Sequence, residues 1–542
     1  VPVALTLIIL TACALAAGSW RVYSNTWDEP EHLAAGIELL DRGQYEYDTE
    51  HPPLGRMLLA LGPYLAGAHS FGTPPPDGTR EGVDILYSDG HYWRYLTLAR
   101  LGTLPFLALL LFATWLWARR LLGRWALLAV ALLVTVPPVL GNAALASLDV
   151  AAAATCLLAL YALQRWLASG RLGDAALFGL SAGVALATKF SAVPFLGLGL
   201  IVLALTQALA RAAPRHWQQH GKGLALALLV SLVPVFLCYG PRAPNPDSDA
   251  VRFNWAVAYL LHGHGLDHAL GVALEHLWLP RALKDLVNGI VAVKAHNDTG
   301  HLSYLLGQTR FTGWWYFYLV ALAVKTPLPL LLGGPLGLAW LARSGWRQRD
   351  RWLFAPLLLT LTLLAFACIF SRINIGIRHV LILYPFMALG AAYVVQRAWQ
   401  WRARRAASGA LARAALLVML VWQLSVLWRA YPDYLPYFNE TVAQPQHVLV
   451  DSDLDWGQDL YRLELRATQL RIPLLHLAYR GTADLSREPL PPFSVLPPRQ
   501  PVHGWVAVSA LARTRSPADY AWLDAYRPLE QVGKSIDLYY VP

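Results

Sequence analysis

Apolar runs of about membrane-crossing length recur along the 542 residues. They lie at 2–18, 98–118, 124–140, 148–168, 173–188, 193–210, 222–240, 318–342, 352–370, 379–397 and 409–428. A helix needs roughly 20 apolar residues to cross the hydrocarbon core, and lipid admits only helices or closed barrels because no water is there to satisfy a bare backbone. The pattern predicts an α-helical polytopic membrane protein with about 11 transmembrane helices. The first run ends in "ALAAGS", which also fits a signal-peptidase site; we read it as a retained span, and either reading leaves the next loop on the same side.

Three polar stretches interrupt or follow the runs: about 19–97, 241–317 and 429–542. The last changes character. "HVLV" reads as a strand, "GQDLYRLELRATQL" as a helix and "PLLHLAY" as a strand; "GWVAVSAL", the helix-like "PADYAWLDAY" and "SIDLYYV" follow. This alternation predicts a small α/β domain over 429–542 behind a membrane module over 1–428.

Charge orients the spans. The short loops carry Arg119, Arg120 and Arg124; Arg165 and Arg171; Arg211, Arg215 and Lys222; Arg343, Arg347, Arg349 and Arg351; and Arg397, Arg402, Arg404, Arg405 and Arg413, against only Asp174 and Asp350. By the positive-inside rule these loops are cytoplasmic. The two long loops and the C-terminal segment then face outward, where nucleotide-linked donors are absent.

Composition agrees: 56% of residues are hydrophobic and 14% charged, against about 25% charged in soluble proteins. The net charge of +10 sits mostly in short loops, so it reports topology and not nucleic-acid binding. Cys13, Cys156, Cys238 and Cys368 lie in or beside apolar runs, which argues against a disulfide framework. Phosphate-loop, CxxC and HExxH motifs are missing from the sequence.

The densest chemistry follows the first run, in "TWDEPEH": Asp28, Glu29, Glu31 and His32. Pro30 suits the first position of a helix, with Asp28 or Glu29 as its cap; Leu33, Ile37 and Leu40 share a face and Gly43 ends the run. Such a helix is too short and polar to span, and should lie along the membrane surface. A second follows "TEHPPLG", with Leu54, Met57, Leu58, Leu61 and Leu65 on its apolar face. Capping accounts for one acid. Several acids at the rim of a low-dielectric region must be paired or used, and one is placed to act as a general base on a hydroxyl.

Cations on the outer side run against the charge bias. Lys189 ends the fifth run, Lys325 sits in "AVKTPLP", Arg372, Arg378 and His379 precede the tenth run, and Arg56 is in the first loop. Singly each fits snorkelling to headgroups; converging, they suit a lipid phosphate. Asp149 stands at the outer start of the fourth run, as a cap or a site acid. "DSDLDWGQDL" hints at a calcium loop, but Trp456 replaces the glycine at its sixth position and Arg462 the closing glutamate, so no metal is assigned. Trp314, Trp315 and Tyr316, near His301 and Arg310, read as an interfacial belt.

The ordered set (Asp28-Glu29 after the first run, "HPPLG" in the same loop, Lys189 after the fifth run, "KTPLPLLL", "NIGIRHVLILYPF" and "DYLPYFNE…DSDLDWGQDL") resembles the protein O-mannosyltransferase-like branch of the GT-C glycosyltransferases. The aminoarabinose transferase of lipid A is in the same broad group. The resemblance implies a GT-C type membrane module and transfer of a sugar from a polyprenyl-phosphate carrier to an acceptor on the outer face, with inversion. It implies Asp28 as base or acceptor-positioning acid, supported by Glu29, and Arg378 or Lys189 on the donor phosphate. Arg372, Lys325 and Arg56 are further candidates for that phosphate; Glu50, His51, Asp149 and His379 are candidate substrate contacts. It implies no cofactor, with a divalent metal optional. Partners would be the lipid-linked donor, membrane lipids and a glycan, lipid or protein acceptor. The place would be a bacterial inner membrane, with the site and the C-terminal domain facing the periplasm. The α/β tail departs from the eukaryotic protein mannosyltransferases, which weighs against a protein acceptor.

Two rivals remain open in the sequence. A transporter or flippase of lipid-linked sugars predicts charges at mid-span and internal symmetry. A non-catalytic receptor or assembly subunit predicts tolerance of Asp28→Asn.

Overall fold

The computed structural model describes residues 2–209, 217–240, 255–260, 280–400 and 406–542. Arg211, Arg215, Arg402, Arg404, Arg405 and much of the second long loop lie outside the described residues.

The described part is mostly helical. In chain order it has α1 (Pro2–Gly18), α2 (Glu29–Ile37), α3 (Pro53–Leu65), α4 (Gly78–Tyr87), α5 (Tyr92–Leu101), α6 (Leu104–Leu122), α7 (Ala126–Val134), α8 (Pro137–Ala143) and α9 (Asp149–Ser169). Then come α10 (Leu172–Thr188), α11 (Ala192–Leu209), α12 (Trp217–Tyr239), α13 (Arg281–Thr299), α14 (Phe317–Lys325), α15 (Leu328–Gln348), α16 (Arg351–Phe370), α17 (Leu383–Gln400) and α18 (Ala406–Ala430).

Every predicted run contains helix, but the count needs correction. Among the described residues six helices are long and apolar enough to cross a membrane, or seven if α14 and α15 count as one bent span. Prolines and breaks shorten the rest. Val136 and Pro137 separate α7 from α8, and Thr326-Pro327 bends α14 from α15 by 119°. Proline removes an amide donor and clashes with the preceding turn, so the helix must restart. Helix α9 is the central one, with 78% of its apolar window buried; α18 lies at the periphery, with 11%.

Small residues set the closest approach between helices. An added Cβ on Gly337 of α15 would run into the Gly390 backbone of α17, and one on Gly390 into the α15 backbone. Between apolar helices in lipid, this close approach supplies the packing that hydrophobic burial cannot. In the first loop, Gly82 of α4 sits directly on the Pro30 backbone of α2.

Helices form at both places in the first loop where the sequence predicts them. Pro30 is in the first turn of α2, and Gly43 closes the following turn in the left-handed region at φ 63°. Leu33 and Ile37 are buried, with Leu59 and Ala60 of α3 in the same cluster.

After α18 the chain forms a small mixed sheet with α19 (Leu460–Gln469) packed against it. The strands are β3 (Leu475–Ala478), β4 (Phe493–Val495), β5 (Gly504–Ser509), β6 (Glu530–Val532) and β7 (Ile536–Val541), in the order β4-β3-β5-β7-β6. The pairs β3–β4 and β3–β5 are parallel; β5–β7 and β6–β7 are antiparallel. A separate hairpin, β1 (Ser303–Leu305) and β2 (Gln308–Arg310), lies in the second loop. "HVLV" is not a strand: its His447 closes a short 3-10 turn and its amides bond back to Gln444 and Pro445 carbonyls.

Residues 431–459 thread into the helical part. Asn439 donates to the carbonyls of Ala323 and Thr326 at 2.6 and 2.8 Å, at the broken end of α14. Gly141 of α8 packs on the Leu435 backbone. The tail is thereby fastened to the end of the bundle where the charged groups gather.

Candidate active site

Asp28 immediately precedes α2, yet its carboxylate caps nothing. Glu29 does the local work: its Oε2 accepts from the Thr26 amide at 2.8 Å and the Thr26 hydroxyl at 3.1 Å. Glu29 also takes Arg100 Nε and Nη2, each at 2.8 Å, and the Ala146 amide at 2.7 Å. Both partners of this ion pair are 1% exposed. The pair ties the start of α2 to α5 and to the approach to α9.

Asp28 is left free to face another element. Arg378 Nη1 donates to Asp28 Oδ2 at 2.7 Å and lies 3.4 Å from Asp149 Oδ2. Lys189 Nζ donates to Asp149 Oδ1 at 2.6 Å. Asp149, like Asp28, makes no cap bond. Four residues from four places in the chain thus form one row, Asp28–Arg378–Asp149–Lys189, with two charges of each sign. Asp28 is the most open, its side chain 26% exposed, against 17%, 7% and 2% for Lys189, Arg378 and Asp149.

Arg378 is held further by a ring. Its guanidinium carbon sits 4.3 Å from the centre of Trp456, a tail residue. Its buried Nε has no partner. Burial opposes its charge, but Asp28 and Asp149 outweigh this and raise its pKa, so it stays a cation.

A second cluster adjoins the first. Arg56, fully buried on α3, donates to Tyr45 Oη at 3.0 Å, the Asp48 carbonyl at 2.7 Å and His32 Nδ1 at 3.3 Å, and pairs with the Asp48 carboxylate. His51 contacts both Asp48 and Arg56, at 3.0 and 3.3 Å. Burial raises the Asp48 pKa, but Arg56 and His51 outweigh it and hold it well below the usual range. Burial, then Arg56 and His51, push His32 down, so it is neutral. Between them Glu31 is pushed up to about 7, by burial first and then by Asp48, Asp28 and Glu50, against the pull of Arg56.

The remaining candidates are dispersed. Glu50 Oε2 meets His296 Nδ1 at 2.7 Å, and His296 lies 3.4 Å from His301. His379 contacts Tyr318 Oη at 3.1 Å. Lys325 is buried, donating to the carbonyls of Leu435 and Asp453 at 2.9 and 2.6 Å. Arg372 is exposed and bonds to the Asp298 carbonyl at 3.0 Å and, through its amide, to Asn297. The acids of "DSDLDWGQDL" satisfy backbone: Asp453 Oδ1 accepts from Ile377 N at 3.1 Å, Asp455 Oδ2 from Leu511 N at 2.6 Å and Asp459 Oδ2 from Lys534 N at 2.9 Å. Among the described residues no group of three His, Cys, Asp or Glu is arranged to hold a metal ion.

Sequence reasoning passed over Arg100 and Trp456. Arg100 had a signal, an arginine at the outer start of a predicted span, against the charge bias. Trp456 had none beyond its place in a segment noted for its acids.

The arrangement suits an anion beside a base. Arg378 can turn from carboxylates to a phosphate oxygen, its fork matching either, and Asp28 lies within reach of whatever that anion carries.

Residues 6–246 match the family model "Dolichyl-phosphate-mannose-protein mannosyltransferase". The resemblance read from the motifs is therefore borne out in this part of the chain, which holds Asp28, Arg56, Asp149 and Lys189. No curated protein sequence matches the chain. Among solved structures, ArnT from Cupriavidus metallidurans bound to undecaprenyl phosphate is similar at 16% identity and TM-score 0.46, covering 98% of this chain and 97% of that one. The archaeal oligosaccharyltransferase AglB from Archaeoglobus fulgidus, in complex with an inhibitory peptide and a dolichol-phosphate, is similar at 13% identity and TM-score 0.47, covering 78% of this chain. This chain spans 55% of that AglB chain.

Proposed function

We propose that this chain, whose residues 6–246 carry the protein mannosyltransferase pattern, is an integral-membrane glycosyltransferase. It moves a sugar from a polyprenyl-phosphate carrier to an acceptor hydroxyl and inverts the anomeric carbon. The observation that carries the reading is the row Asp28–Arg378–Asp149–Lys189.

The chemistry follows from those groups. The acceptor oxygen attacks the anomeric carbon opposite the phosphate while Asp28 takes its proton. The bond from the anomeric carbon to the phosphate oxygen breaks, and its electron pair leaves with the lipid phosphate. Arg378 and Lys189 stabilise that charge. Asp149 keeps both cations in place between turnovers. Glu29 is a positioning residue, anchoring the backbone from which Asp28 projects. Arg56, next to the row, is a further phosphate ligand, reached with movement of Asp48; Glu50, His51 and His379 flank the sugar. Lys325, buried, holds the tail, and Arg372 is exposed away from the row. A divalent metal is optional, because the lipid phosphate is already a good leaving group.

In this reading the chain is a multi-pass protein of a bacterial inner membrane. Residues 1–428 form the catalytic module and 429–542 an appended domain, both facing the periplasm at the site. The acceptor is a glycan, a lipid or a protein.

The test is transfer from polyprenyl-phosphate sugars by purified protein in detergent. Asp28→Asn lowers kcat by about 10²- to 10⁴-fold, as loss of a general base does. Arg378→Ala weakens binding of the polyprenyl phosphate. Wild-type turnover in both variants would remove the reading.

A further inference from the structure

The tail reaches the charged row through one short segment, residues 451–456. Trp456 touches Arg378 and the residue that precedes Asp28. Its ring lies 4.3 Å from the Arg378 guanidinium carbon. Its carbonyl accepts from the amide of Trp27, the residue before Asp28, at 3.0 Å. Trp456 is buried, with Tyr23, Leu145 and Leu435 around it.

The same segment holds the backbone that carries Arg378. Asp453 Oδ1 accepts from Ile377 N at 3.1 Å, and the Ser452 hydroxyl donates to the Ile375 carbonyl at 2.5 Å. Ser452 also packs on Gly376, whose added Cβ would collide with it. Lys325, at the break between α14 and α15, closes the circuit by donating to the Asp453 carbonyl. The residues before Arg378 are thus fastened to the tail on three successive positions.

We propose that the C-terminal segment is part of the catalytic site, with Trp456 as the positioning residue that sets the donor-phosphate arginine. The inference rests on the function proposed above and extends it. A long arginine released from carboxylates would sample many rotamers. A ring packed on its guanidinium limits that sampling, so its Nη1 remains at the row when a phosphate replaces Asp28. The Trp456 carbonyl meanwhile holds the Trp27 amide, one residue before Asp28.

The test uses the full chain in detergent with undecaprenyl phosphate as the binding probe and a polyprenyl-phosphate sugar as donor. Trp456→Leu removes the aromatic face but fills the pocket, and Trp456→Phe keeps a face. Expected is a rise in donor KM, and in Kd for undecaprenyl phosphate, of about tenfold for Trp456→Leu, equivalent to roughly 1.4 kcal/mol. Trp456→Phe is expected within about twofold of wild type, as a retained ring face predicts, and acceptor KM unchanged in both. Equal donor KM in Leu and wild type, equal defects in Leu and Phe, or a fall in kcat alone each overturns the proposal. A variant that melts early is judged by the other, and failure of both to fold counts against a role specific to the arginine. Binding of undecaprenyl phosphate by wild type and its loss in Arg378→Ala test the underlying reading separately. Loss in Arg378→Ala with indifference at Trp456 overturns this inference alone, whereas no binding by wild type overturns both.

Discussion

Arg378 and Asp28 meet at 2.7 Å although 350 residues separate them in sequence. The pair joins the first loop to the segment before α17, and Asp149 and Lys189 extend it into the bundle. Arg378 serves two carboxylates and a ring at once, which a planar guanidinium can do and an ammonium cannot. Arg378→Lys therefore keeps the charge and loses the geometry. Loss of one charged hydrogen bond and the ring contact costs roughly 2–3 kcal/mol. The expected fall in kcat/KM is about 30- to 150-fold, measured by transfer assays on protein of unchanged melting behaviour.

Glu29 and Arg100 form a pair buried at 1% exposure on both sides. Glu29→Ala strands the guanidinium and the Thr26 and Ala146 amides, at a cost of about 3–5 kcal/mol. Arg100→Ala should cost a similar amount, and the double variant much less than the sum, because the second change removes a charge already stranded. Thermal or denaturant unfolding of the three variants measures the coupling; additive losses would contradict it.

Stability should fall as pH rises through neutrality. Burial leads the causes that raise Glu31 to about 7, Asp455 to about 7 and Asp453 to about 6. A carboxyl raised on folding favours the folded state fully below its unfolded value near 4, and that advantage disappears as pH climbs through the folded value. Asp48, held low by Arg56 and His51 against burial, acts oppositely, but only as pH falls below about 4. Each pH unit of displacement is worth about 1.4 kcal/mol, and His32, held below its ordinary value, opposes the raised carboxyls only below about pH 6.5. Melting temperature should therefore be higher at pH 7 than at pH 8, and Glu31→Gln should flatten the profile.

Gly337 and Gly390 bring α15 and α17 into backbone contact. Gly337→Ala forces the helices apart and should destabilise by about 1–3 kcal/mol. Gly173, near the start of α10, has open space where its Cβ would be; Gly173→Ala should be neutral or gain up to about 1 kcal/mol. Unfolding in matched detergent separates the two.

The sequence alone determined the class and most of the elements. Apolar runs announced helices because lipid leaves the backbone no other partner. Pro30 opened α2 and Gly43 closed the turn that follows it, by their own backbone preferences. It also exposed Asp28, Asp149, Lys189 and Arg378, since charge at the rim of an apolar bundle is costly and stands out against the hydrophobic background.

Only tertiary structure decided what each charge does. Asp28 and Glu29 are adjacent and chemically alike, yet one opens into the row and the other is locked to Arg100. Nothing local separates them; the difference comes from Arg100 of α5 reaching one and Arg378 the other. Trp456 was invisible for the same reason, because a ring becomes a positioning device only when a distant arginine is laid against it. Periodicity and propensity are properties of neighbours in sequence, whereas the direction of a buried charge is set by whichever partner the fold brings within hydrogen-bonding reach.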